Sequence, residues 1–135
     1  MITQEKYSEI KEIFRQNSVI LAYVFGSQAN NTSNKESDLD IAILLPPELT
    51  KMKRFNIRIK VAEKLSRIFK MPIDLVVFND LKSLFFKFII IKEGKLIYSK
   101  TQSDQLDFEC KLMGEYFDFK PFLELQNKHY VQRSL

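Results

Sequence analysis

Three acids and one glycine carry the chemistry that can be read from this chain. Gly26-Ser27 follows the apolar run Val19 to Phe25, and ten intervening residues then lead to Asp38-Leu39-Asp40 and a second apolar run, Ile41 to Leu45. Side chains repeat every two residues along a strand, so Asp38 and Asp40 are expected on one face, about 6–7 Å apart. Two like charges at the head of an apolar strand repel each other unless something positive compensates, and carboxylate oxygens are the ligands that Mg²⁺ and Mn²⁺ prefer. Asp74 stands in a third apolar run, Ile73 to Phe78, where a charge is equally out of place. The three acids together predict a hard-cation site. Gly26 allows the backbone to come close to a ligand, and Ser27 adds a hydroxyl and an N–H. Residues 28–31 read as a short helical turn whose first N–H groups face the same place, where a phosphate is stabilised. Ser37, at the end of the polar loop 30–37, either bonds the backbone or orients the Asp38 carboxylate.

Gly26-Ser27, ten residues, Asp38-x-Asp40 and a later Asp74 together resemble the signature of the polymerase-β-type nucleotidyltransferases. The motif spans 19–78. The short chain is further similar to the minimal nucleotidyltransferase (MNT) antitoxins that accompany HEPN-domain ribonuclease toxins. This resemblance implies an α/β (α+β) fold, a small mixed sheet of about four strands with helices packed on it. It also implies metal-dependent adenylyl transfer from ATP. Asp38, Asp40 and Asp74 would be catalytic and would hold two Mg²⁺ ions, or Mn²⁺, while Gly26, Ser27 and Ser37 would bind the nucleotide. The implied acceptor is a tyrosine of a cognate HEPN toxin, which AMPylation would neutralise. Two alternatives stay open on the sequence: an antitoxin of the same fold that inhibits by binding alone, and an enzyme modifying a small hydroxylated molecule of the aminoglycoside type.

At 135 residues the chain is expected to form one domain, 1–135, with a sizeable core and no room for a separate substrate domain. The net charge of +4 comes from 21 basic residues interspersed with 17 acidic ones, which is not the dense basic face of a nucleic-acid reader. No direct nucleic-acid binding is therefore expected. Cys110 is the single cysteine, which excludes an internal disulfide and fits a reducing, cytoplasmic compartment. Met1 to Gln16 is amphipathic and charged, unlike a secretory signal, and the apolar stretch 84–91 is broken by Lys87 and too short to span a bilayer.

The elements that must position the acids follow from periodicity. Thr3 is expected to cap a helix over 4–16 with Tyr7, Ile10, Ile13 and Phe14 on its apolar face. A second helix is expected from Glu48 in its first turn to about Lys70, burying Leu49, Met52, Phe55, Ile59, Ala62, Leu65 and Phe69. The same helix carries Lys51, Lys53, Arg54, Arg58, Lys60, Lys64, Arg67 and Lys70, read mainly as a solvated face. Asn79 or Asp80 should cap a third helix, Leu81 to about Lys92, stopped at Glu93-Gly94. Lys95 to Tyr98 reads as an edge strand. Thr101 and Asp104 begin a last helix expected to reach Phe117 or Asp118 and to break or kink at Pro121. The aromatic tail from about 101 is a candidate partner surface, and His129 reads as a surface residue.

Overall fold

A computed structural model of the chain describes residues 3–26 and 38–134, with 119–134 described by backbone alone. The described elements run α1 (Gln4–Gln16), β1 (Leu21–Phe25), β2 (Leu39–Leu44), α2 (Lys51–Phe69), β3 (Ile73–Val77), α3 (Leu84–Glu93), β4 (Lys95–Ser99) and α4 (Gln102–Ser134). The strands form one mixed sheet in the order β3-β2-β1-β4. β1 pairs antiparallel with both β2 and β4, whereas β2 and β3 are parallel. A parallel pair needs a long crossover, and α2 supplies it.

Strand alternation divides the sheet into two faces. Leu39, Ile41, Ile43, Leu75 and Val77 point to one, where Ile10 and Phe14 of α1 and Val61 and Leu65 of α2 complete a buried cluster. Leu21, Tyr23 and Ala42 point to the other and pack with Phe78 and with Ile90 of α3. On that second face α4 lies over Phe78 through Phe108, with ring centroids 4.9 Å apart. Tyr116 stacks on Phe88 at 4.0 Å, locking α4 to α3. Tyr23 is buried, and its hydroxyl donates to Glu109 at 2.6 Å, tying α4 to the strand that ends at Gly26. Among the described residues no helix is long and apolar enough to cross a membrane.

Several caps match the sequence. Thr3 accepts from Lys6 N–H, and Asp104 and Thr101 form a reciprocal capping box at the start of α4. Others differ for identifiable reasons. α2 begins at Lys51 behind Thr50, which accepts from Lys53 N–H, so Glu48 lies in the preceding turn. The hydroxyl is the better cap here, because Pro46-Pro47 keeps the chain non-helical for several residues. α3 is capped by Ser83, not by Asn79 or Asp80, which fall in a short 3₁₀ turn. Asn79 instead clamps the end of β2, accepting from Leu45 N–H at 3.0 Å and donating to Leu45 O at 2.8 Å. Asp80 accepts from the Arg54 guanidinium at 2.7 Å. The helix expected to end near Phe117 or Asp118 instead continues through Pro121 to Ser134. One missing N–H weakens a helix of 33 residues without ending it.

The largest correction concerns α2. Leu65 is buried and Leu49, Ala62 and Phe69 pack against the same core, as expected, but Val61 is buried as well, while Met52, Phe55 and Ile59 are 67%, 51% and 50% exposed. The helix carries apolar side chains on more than one stripe, and the sheet selected the stripe with Val61 and Leu65. The bidentate Asn79 clamp gives a test of how the end of β2 is held. Asn79→Ala should lower unfolding stability by about 1–3 kcal/mol in urea denaturation, because it leaves the Leu45 backbone groups without partners.

Candidate active site

The strand register determines the site. In the parallel pair, Asp40 stands opposite Asp74, and in the antiparallel pair Phe25 stands opposite Asp40. Partners across a ladder point to the same face, so both acids and Phe25 share the face covered farther along by α3 and α4. Gly26 follows Phe25 directly and is left-handed, with φ at 73°. A Cβ at this position would overlap Asp40 Oδ2 and lie 3.2 Å from its Cγ. The glycine is therefore needed twice, for its backbone angle and for the space that the carboxylate occupies.

Asp40 and Asp74 face each other across the ladder, so that each carboxylate acts on the other. Burial first, then the charge and hydrogen bond of Asp74, and then the charge of Asp38 hold the Asp40 carboxyl above its ordinary range. Asp38 is exposed and precedes β2, which starts at Leu39. The structure thus brings two of the expected acids face to face and places the third beside them, acting on Asp40 through its charge. Among the described residues no three His, Cys, Asp or Glu side chains close into a metal cluster, and no Lys or Arg pairs with Asp38, Asp40 or Asp74. Ser27 and Ser37, expected to bind nucleotide, lie outside the described residues.

The donor set fits a hard divalent cation. Two facing carboxylates without a basic partner are oxygen ligands whose repulsion a cation relieves. Of the seven basic side chains within α2, Arg54 pairs with Asp80 and Arg67 with Glu63. Sequence reasoning missed the aromatic border of the site. Phe25 is packed edge to face against Phe86, with ring centroids 5.9 Å apart. Phe25 could have been found from its place before Gly26, whereas Phe86 comes from another element with no local signal.

The site thus consists of a left-handed glycine after a strand, abutting one of two acids on adjacent parallel strands. Residues 8–103 match the family model described as Polymerase beta, Nucleotidyltransferase, and the chain belongs to that family. It is similar to the protein adenylyltransferase MntA of Shewanella oneidensis, at 28% identity over 111 residues that cover 81% of this chain and 76% of the relative. A crystal structure of a toxin–antitoxin with AMP-PNP superposes with a TM-score of 0.69 at 25% identity, over 95% of this chain and 97% of the other. A structure of the tri-AMPylated Shewanella oneidensis HEPN toxin in complex with MNT antitoxin gives a TM-score of 0.65 at 24% identity, covering 97% of each chain. That second likeness bears on the fold. The mixed sheet of four strands with helices on it is the fold that the sequence led us to expect.

Two measurements probe the site without substrate. Gly26→Ala should cost about 1–2 kcal/mol in thermal or urea unfolding from the left-handed backbone alone, and more from the overlap with Asp40. Metal-free stability should also depend on Asp40. Its folded pKa is raised, so its contribution is full below the ordinary carboxylate pKa and is lost as pH rises through the folded value. In EDTA, Asp40→Asn should melt higher than the wild type at neutral pH, with the gap closing on acidification.

Proposed function

We propose that this chain is an antitoxin that transfers AMP from ATP to a tyrosine hydroxyl of a cognate HEPN ribonuclease toxin and thereby silences it. The observation that carries this reading is the facing of Asp40 and Asp74 beside Gly26, unpaired with any basic side chain among the described residues. Family membership supplies the reaction class. The similarity to a protein adenylyltransferase, and to a toxin–antitoxin structure holding AMP-PNP, supports ATP as donor and a toxin as acceptor.

In this mechanism Asp38 and Asp40 would hold one divalent ion, and Asp74 would join them in holding a second. Mg²⁺, or Mn²⁺, would supply charge neutralisation at the phosphates and acidification of the acceptor hydroxyl. The chain's own residues do the rest. Gly26 keeps the backbone clear of the Asp40 carboxylate, so that the strand end and the acid converge on one place. Ser27 would donate its hydroxyl and N–H to the leaving phosphates, and Ser37 would steady Asp38 from the end of the loop. The acceptor oxygen bonds to the α-phosphorus, the bond to pyrophosphate breaks, and Asp74 takes the hydroxyl proton. Residues 1–135 act as a single nucleotidyltransferase domain in this reading, with α4 from Gln102 as part of the surface offered to the toxin. A cytoplasmic setting is consistent with ATP as donor and with a lone free cysteine.

The test is incubation with ATP labelled at the α-phosphate, Mg²⁺ and a candidate HEPN toxin. Wild type should label the toxin, and Asp40→Asn and Asp74→Asn should each reduce the labelling by at least about a hundredfold, in line with loss of a preorganised electrostatic group. Persistence of labelling in both variants would remove the acids from the mechanism. Equal neutralisation of the toxin by Asp40→Asn and wild type would replace catalysis with inhibition by contact.

A further inference from the structure

α3 carries three aromatic side chains, and they look in different directions. Phe88 stacks on Tyr116, and Phe85 tilts against the same ring at 6.4 Å, so both belong to the seam with α4. Phe86 turns instead to Phe25, meeting it at an interplanar angle of 81°. Phe25 is the cross-strand partner of Asp40, and such partners have Cβ atoms about 4.5–5.5 Å apart on one face. Phe25 therefore connects the strand position of Asp40, through the ladder, to the Phe86 ring, through an edge-to-face contact. Phe86 remains 36% exposed as a residue, although a phenylalanine serving only the core would gain by covering it. An aromatic surface held one residue-width from a phosphate-handling pair of acids matches the shape of a nucleotide, whose ribose sets the base off from the α-phosphate.

We propose that Phe86, braced by Phe25, is the surface on which the purine of the bound nucleotide stacks. This rests on the nucleotidyltransferase reading above. Stacking uses the π-face that every base has, so Phe86 supplies affinity and placement for the base and does not choose between adenine and guanine. It also holds the ribose end of the donor still while the acceptor approaches the α-phosphorus. An inorganic polyphosphate, having no base, would not feel it.

The test compares ATP with tripolyphosphate, both with Mg²⁺, by isothermal titration. Phe86→Leu keeps apolar bulk against Phe25 but has no ring, and Phe86→Trp enlarges the ring. Phe86→Leu should weaken ATP about tenfold, within the range for loss of one base–aromatic stack, and leave tripolyphosphate unchanged. Phe86→Trp should bind ATP as wild type does. GTP should lose the same factor as ATP. Equal ATP binding by Phe86→Leu and wild type would overturn the proposal, as would equal weakening of ATP and tripolyphosphate, which would mean that Phe86 only shapes the site. A variant that raises KM for the acceptor alone would assign the ring to the other substrate and overturn it too. If wild type itself binds no ATP, the nucleotidyltransferase reading fails first, and the wild-type titration identifies that case separately.

Discussion

The parallel register of β2 and β3 places Asp40 opposite Asp74, and the rest of the structure works around that placement. A slip of one residue in β2 would turn Asp40 into the cluster formed with α1 and α2, and would turn Ile41 and Ile43 out of it. The buried isoleucines and the facing acids are therefore two expressions of one alignment. Hydrophobic burial enforces it, and the acids, which repel each other, could not do so. The folding energy of one face of the sheet holds together an unfavourable pair on the other.

The remaining elements limit how that pair can relax. Gly26 stands against Asp40 on the side of β1, so the carboxylate is confined between two strands. Gly94 performs a similar service where α3 turns into β4, since a Cβ there would overlap the Ile90 carbonyl and lie 2.9 Å from Val24 O. The end of α3 is thus pressed onto β1, next to the strand end that leads to Gly26. Farther along the same face, the bond from Tyr23 to Glu109 ties α4 to β1, and burial with this partner pushes the Tyr23 phenol up from its ordinary value. These contacts join both helices of that face to the central strand of the site.

Much of this was legible before any coordinates. The strands, their order along the chain, the caps at Thr3 and Thr101 and the three acids follow from apolar runs, from hydroxyl residues at helix starts and from charges placed where strands should be apolar. Which residues of α2 would be buried was legible only in part, at Leu49, Ala62, Leu65 and Phe69. Met52, Phe55 and Ile59 have as good a helical spacing as Val61 and Leu65, and only the position of the sheet decides between them. The Asn79 clamp escaped for a related reason. Its partner is a backbone 34 residues away, and an asparagine before a helix looks like a local cap. Phe86 gave no sign of its place beside Phe25, because that contact joins two elements separated by most of the fold. Side-chain pattern reports the period of an element, whereas pairings between distant elements depend on packing.

Sheet order has one further bearing on the acceptor. β3, which carries Asp74, is an outermost strand, so the described sheet places no neighbouring strand beyond that acid. A reaction centre enclosed in the middle of a sheet would admit only molecules small enough to enter a cleft. Among the described residues Asp74 is exposed at this edge of the sheet, and under the function proposed above that flank is where a side chain of a folded protein would approach.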